Sequence, residues 1–209
     1  MFHAFTNFNS DKAMVLNMGT SSQLAITNSM QSALTACSTF ESLQLFPYFN
    51  NRALIMFASL NGGNVIEAFV NALYRFFSKI SPTASFDVVF NHFIQSGVET
   101  NDYPEMGACL FGERHLPRTS LCIPSLNPET LNIGSLSRGL HHALLTNLFQ
   151  NFPKDLLSDV LQLVAVGKIF EKNVLLKEEL SRCSPIPLTF LTDVDASRGC
   201  AQFTVTCLK

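Results

Sequence analysis

The 209-residue sequence has no tryptophan and little charge: Asp, Glu, Lys and Arg together make up 14% of it, against roughly 25% in an average soluble domain. The net charge of −2 offers no electrostatic footprint for nucleic acid or for an acidic membrane surface. No uninterrupted apolar run reaches the ~18 residues of a membrane span. The start, MFHAFTNFNSDK, has no basic stretch leading into an apolar one, so a secretory leader is not expected. The six cysteines, Cys37, Cys109, Cys122, Cys183, Cys200 and Cys207, include no C-x-x-C pair and no His at ligand spacing. They read as reduced thiols of a cytosolic protein. What is present is apolar: 47% of the chain, with 19 phenylalanines, enough for a real core. So apolar a composition suits a face covered by a partner and equally a charge-poor free-standing domain.

Along the chain, AMVLNM reads as a strand that stops at Gly19-Thr20-Ser21-Ser22. Residues 27–44 are rich in Ser and Thr without a clear period and read as a surface excursion. LQLFPYFNNRALIMFASL reads as a hairpin around Asn50-Asn51. Residues 64–80 place Val65, Ile66, Phe69, Val70, Leu73, Phe76 and Phe77 on one stripe, which predicts an amphipathic helix. Further helices are expected over 85–96 and 135–150, with a short strand GACLFG between them. VLQLVAVG is a buried-strand candidate, followed by a turn at Gly167 and a helix EKNVLLKEELSRC, then a last strand and a short helix. Residues 1–12 form no definite element and 13–209 read as one mixed α/β layered unit.

Several residues carry candidate chemistry. Gly19 lets the backbone approach an anion, and the following amides with the Thr20 hydroxyl can donate to its oxygens; a glycine turn ending a strand is the alternative. Gly62 and Gly63 of SLNGGNV stand where helix amides can be exposed to a ligand, or where Asn61 or Asn64 simply caps a helix. Glu113-Arg114 reads as a loop brace rather than a catalytic pair. His141 and His142 are adjacent on a helix, about 100° apart, and cannot both face one metal ion; with no third ligand in view, no metal site is expected. Asp193 and Asp195 of TDVDA look like a paired-carboxylate motif and would share a face of a strand; a capping turn before a helix is the alternative.

LNMGTSSQLA, PYFNNRALIMFASLNGGNV, GERHLP, IGSLSRGL and DVDASRGCA stand in this order, and with them the chain resembles the C-terminal lobe of the FGGY carbohydrate kinases from about residue 13 onward. The resemblance implies a ribonuclease H-like fold of the actin and hexokinase type, incomplete at its N-terminus. It implies ATP as the bound nucleotide with Mg2+ on its phosphates. Gly19 and Thr20 match the family's phosphate-contacting Gly-Thr, Gly63 a nucleotide contact, and Gly167 and Asn173 the turn near adenine. Lys168, Ile169 and Phe170 depart from the small residues expected there and stand to narrow the adenine slot. The family's G-D-x-Q, whose aspartate is the general base, has no counterpart, and Asp11 does not replace it. No catalytic residue is therefore assigned, and the isolated chain is expected to bind nucleotide without phosphorylating sugar unless a sugar-binding lobe is supplied.

Overall fold

A computed structural model of the protein describes residues 12–192, apart from 50 and 82. Residues 1–11, and with them Asp11, lie outside the described part, as do Asp193, Asp195, Cys200, Cys207 and the helix expected at the C-terminus.

Six strands form one sheet in the order β3-β4-β2-β1-β5-β6. β1 (Ala13–Met18) and β2 (Ser22–Ser29) pair antiparallel across the Gly19 turn, β2 pairs with β4 (Arg52–Ser59), and β4 with β3 (Leu43–Tyr48). On the other side of β1, β5 (Gln162–Val166) and β6 (Leu188–Leu191) run parallel to it. Parallel neighbours need crossovers, and helices supply them. α2 (Gly63–Ile80), α3 (Phe86–Val98) and α4 (Ile133–Gln150) lie between β4 and β5; α5 (Ile169–Lys172) and α6 (Val174–Cys183) lie between β5 and β6. Alternation along β1 sends Met14, Leu16 and Met18 into the main core with Leu140, Leu144 and Phe93. Val15 goes to the opposite face with Ala25, Val164 and Val166. The central strands of this mixed sheet are thus buried on both sides, as its parallel β1-β5-β6 part requires.

The hairpin stands where it was expected, with Asn51 at φ 56° in the turn, a conformation Asn tolerates better than most residues. Four expectations need correction. Residues 27–44 are not an excursion: β2 continues to Ser29, whose hydroxyl accepts from the Ser32 amide (3.2 Å) and caps α1 (Met30–Thr39). Only Ala33 of this helix is buried, and Thr35, Ser38 and Thr39 return their hydroxyls to backbone carbonyls, so no apolar period marked it. GACLFG is no strand; it contributes a single bridge, Gly107 to Cys122, and a turn at Gly112 with φ +68°. The helix after Gly167 breaks at Asn173 into α5 and α6. On α2 the apolar stripe is buried only in its first half, since Val65, Ile66 and Val70 face the core while Phe76 is 61% exposed.

Glu113 is the brace of this layout. It is 2% exposed, and its carboxylate accepts from the Ser59 hydroxyl (2.6 Å), the Asn61 amide (3.1 Å) and the Asn147 amide (2.7 Å). Asn61 in turn donates to the Gly112 carbonyl and accepts from the Phe111 amide. The loop that leads into α2 is therefore tied to both the 107–119 segment and α4, while Arg114 stays exposed. Hydrogen bonds to a buried charged group contribute about 1.5–3 kcal/mol each. Glu113→Gln can keep an oxygen toward the Ser59, Asn61 and Asn147 donors, all of which meet Oε1, but loses the charge and turns its amide NH2 toward the Leu60 amide that faces Oε2 (3.4 Å); it is expected to cost about 1–3 kcal/mol in urea unfolding followed by circular dichroism. A variant as stable as the parent would remove the brace.

Candidate functional site

The site forms where β1 ends. The Gly19 amide donates to the Ser21 carbonyl (2.9 Å), closing the turn between Met18 and its partner Ser22. The first turn of α2 docks directly on it: the Gly63 amide donates to the Gly19 carbonyl (2.8 Å) and the Asn64 amide to the Thr20 carbonyl (3.1 Å). A Cβ on Gly62 would lie 2.8 Å from Ser21 backbone, and one on Gly63 2.8 Å from the Gly19 oxygen. This corrects the expectation for the glycine pair. These α2 amides are engaged by the neighbouring turn and do not face a ligand, and the glycines serve close backbone approach. Neither Asn61 nor Asn64 caps the helix; Gly62 holds the N-cap position, and Asn64 accepts from the Gly62 amide. The donors left over are on the turn. Among the described residues no hydrogen bond occupies the amides of Thr20 and Ser21 or the Thr20 hydroxyl.

Parallel pairing of Asn17 with Val166 brings Gly167 beside Met18. Gly167 has φ +131°, and a Cβ there would lie 1.9 Å from the Met18 oxygen. The turns at Gly19 and Gly167 therefore stand side by side at one end of the sheet. Between them and the helices opens a cavity of about 320 Å³. Gly19 and Thr20 line it from the β1–β2 turn, Gly63, Asn64 and Glu67 from α2, Phe86 and Phe90 from α3, and Ile169 and Asn173 from α5 and its end. Gly167 itself does not line it; it holds β5 against β1. The Phe86 and Phe90 rings stack at 6.2 Å and 22°. Of the three bulky residues after Gly167, Ile169 alone faces the cavity. Lys168 is exposed, and Phe170 turns into the core against Phe190.

Asn173 is fully buried and its side chain is committed. Its Oδ1 accepts from the Leu176 amide (2.9 Å), capping α6, so its Nδ2 must donate to His141 Nε2 (2.8 Å). The other ring nitrogen of His141 meets the Ser137 carbonyl (2.7 Å), which can only accept. His141 is thus neutral with its proton on Nδ1. Burial holds its pKa down to about 4, although the Ser137 carbonyl acts in the opposite direction. An unfolded-state histidine takes up its proton near 6.5, before the folded one does. The contribution of His141 is complete above pH 6.5 and is lost as the pH falls toward 4, by up to about 1.4 kcal/mol per pH unit. Urea midpoints at pH 7 and pH 5 should differ more for the parent than for His141→Gln; equal slopes would refute this.

His142, on the next position, points elsewhere. Its Nδ1 meets Glu179 and Cys183 of α6, and these two partners, the Cys183 thiol first, hold its pKa up to about 9. The expectation that no third ligand stands near the histidine pair is corrected by this cluster, in which the i, i+4 pair Glu179 and Cys183 of α6 meets His142 from α4, some 37 positions earlier. Asp193 and Asp195 fall outside the described residues.

No protein-family model matches the chain. Solved structures show the fold. The chain superposes on xylulose kinase from Rhodospirillum rubrum with a TM-score of 0.74 at 12% identity, covering 99% of this chain and 40% of that one. It superposes on Plasmodium falciparum glycerol kinase with ADP with a TM-score of 0.64 at 11% identity, covering 96% and 39%. The fold is that of the actin- and hexokinase-like carbohydrate kinases, present as part of such a kinase's length. In sequence the chain is similar to sedoheptulokinase: 33% identical to the Homo sapiens protein over 193 residues, covering 90% of this chain and 40% of that protein, and 32% identical to the Mus musculus one over the same length. The chain thus spans about 40% of the length of the curated relatives it matches. These matches agree with the resemblance to an FGGY C-terminal lobe.

Proposed function

We propose that this chain is the nucleotide-binding lobe of a sedoheptulokinase-like carbohydrate kinase, residues 13–209, and that ATP occupies the cavity at the end of β1. The observation that supports it is the meeting of Gly19, Thr20, Gly63 and Asn173 around one cavity, with the Thr20 and Ser21 amides and the Thr20 hydroxyl left as donors. The residues present fit the ligand. Two turn amides and a hydroxyl suit phosphate oxygens, and the stacked Phe86 and Phe90 offer an apolar wall to a base. Mg2+ binds chiefly through nucleotide phosphates and water; Glu67 is the carboxylate that lines the cavity among the described residues. Asn173 stands in the cavity wall with its Oδ1 and one Nδ2 hydrogen engaged inside the protein.

The parent reaction is transfer of the ATP γ-phosphoryl group to sedoheptulose, giving sedoheptulose 7-phosphate. Orientation of two bound reactants contributes about 7–11 kcal/mol to such a step and a general base about 3–5 kcal/mol. The sequence of 209 residues contains no G-D-x-Q, so sugar phosphorylation draws on residues outside it. The purified chain alone is expected to show no turnover of sedoheptulose. The four free thiols among the described cysteines, Cys37, Cys109, Cys122 and Cys183, support a cytosolic setting. No described helix is long and apolar enough to cross a membrane.

Calorimetric titration with a non-hydrolysable ATP analogue and Mg2+ tests the reading. Binding should be measurable, and Thr20→Ala should weaken it roughly tenfold or more, the worth of a hydrogen bond to a charged group. Undetectable binding at millimolar analogue would overturn it. It would favour the alternative of a degenerate lobe acting as an interaction module, for which the exposed Phe76, Phe77 and Ile80 of α2 speak. Binding retained with a different sugar partner would instead point to another ketose or polyol kinase.

A further inference from the structure

On the side of α4 facing α6, three side chains of the kind that ligate metals meet away from the cavity. His142 Nδ1 lies 3.3 Å from Glu179 Oε2 and 3.4 Å from Cys183 Sγ, and the three ligand atoms all lie within 4.8 Å of one another. Glu179 and Cys183 are four residues apart on α6 and so share a helix face. Tyr103 adds its hydroxyl at 3.2 Å from the same nitrogen. One ring nitrogen carries either one proton or one lone pair and cannot serve three partners at once. From this convergence we propose that His142, Glu179 and Cys183 bind a Zn2+ ion, with Tyr103 or a water on the fourth side.

The distances fit the ion. Tetrahedral zinc with bonds of about 2.0–2.3 Å sets its ligand atoms about 3.3–3.7 Å apart, the separations His142 already has from both partners. The chemistry fits as well, because a thiolate with imidazole and one carboxylate is a zinc donor set, whereas Mg2+ takes oxygens in an octahedron. The carboxylate is aimed by its surroundings. Arg138 and Arg182 both contact Glu179 Oε1, at 2.6 and 3.3 Å, which leaves Oε2 toward His142. Such outer contacts orient ligands. Glu178 balances Arg138 from the other side at 2.7 Å, limiting the repulsion a cation meets. Glu179 is buried, while the His142 side chain is 36% exposed, so the cluster has an entry path. Binding displaces two protons to solvent, one from the Cys183 thiol and one from His142 Nδ1, whose lone pair then faces the ion. The ion then pins α4 to α6 near the C-terminal end of α6, opposite the end capped by Asn173.

The full chain, stripped with a chelator, is titrated with Zn2+ against a chromophoric competitor, and separately with Co2+. One equivalent of Zn2+ should bind, and Co2+ should give a thiolate-to-metal charge-transfer band in the near ultraviolet. Cys183→Ser should abolish the band and weaken Zn2+ at least about a hundredfold, a ligand being worth no less than an outer-shell partner. His142→Gln should also weaken it, and Cys122→Ser should change neither. In the unsubstituted chain, Zn2+ should slow alkylation of the Cys183 peptide, followed by mass spectrometry, and raise Tm; these readouts need no variant to fold. Absence of stoichiometric binding, a Co2+ band that survives Cys183→Ser, or alkylation of Cys183 at the same rate with and without Zn2+ would each overturn the site.

Discussion

Arg138→Ala is expected to cost about 3–5 kcal/mol, the range for breaking a buried ion pair from one side, out of a total of about 5–15 kcal/mol for a typical domain. Arg138 is completely buried, and every arm of its guanidinium is engaged. Nη1 and Nη2 donate to Glu179 and Glu178, while Nε and Nη2 donate to the Gly97 and Val98 carbonyls at the end of α3. Removal leaves Glu179, itself 1% exposed, with the more distant Arg182 and His142, each at 3.3 Å, as its cations. It also takes the guanidinium donors from the Gly97 and Val98 carbonyls, of which Gly97 keeps the Thr100 amide (3.2 Å). Arg138→Lys should recover little, since an ammonium cannot reproduce the fork. The double variant Arg138→Met with Glu179→Leu should be more stable than the alanine variant, because it removes the stranded charge together with its partner. Urea unfolding by circular dichroism measures all three, and a cost below about 1 kcal/mol for Arg138→Ala would refute the account.

Gly167→Ala should be at least as damaging, at about 4 kcal/mol or more, a size reached only by a few mechanisms. Two of them coincide. The residue sits at φ +131°, and the added carbon would stand 1.9 Å from the Met18 carbonyl oxygen. Met18 cannot retreat easily, because it is fully buried and paired with Ser22. The expected result is separation of β5 from β1, read as loss of soluble protein or of cooperative unfolding. Gly19→Ala is the control. Nothing lies within 4 Å of a Cβ at Gly19, so stability should hold within about 0.5 kcal/mol, while analogue binding weakens if the cavity takes phosphate as proposed.

These contrasts show which parts of the molecule a reader of residues can reach. The hairpin and α2 were legible because alternation and a 3.6-residue stripe are local patterns, and Gly19 and Gly167 because strands visibly stop there. α1 was hidden by its hydroxyls, and the break at Asn173 by a cap whose second partner, His141, lies 32 positions earlier. α4 buries Ser135, Ser137, Arg138 and His141 along with its leucines, so polarity does not mark its inner face. The candidate site was legible as a set of glycines but not in their division of labour. Gly63 admits another backbone, Gly167 locks two strands and Gly19 faces open space, distinctions that exist only once the chain is folded. The brace role of Glu113 was legible from its loop, but its partners Ser59, Asn61 and Asn147 were not; in the proposed zinc cluster Glu179 and Cys183 share a local spacing, while His142 comes from another helix.

The docking of α2 on the first turn has an electrical side. The Gly19 carbonyl and the Thr20 amide belong to one peptide plane, as do the Thr20 carbonyl and the Ser21 amide. When the helix donates to those two oxygens, it polarises both planes and strengthens the donors at their far edges. An eighteen-residue helix with its positive pole against the turn thereby adds its field to the two amide groups on which the proposed phosphate contact relies. Under that proposal, part of the pull on an anion is wired into the main chain and does not wait on a lysine.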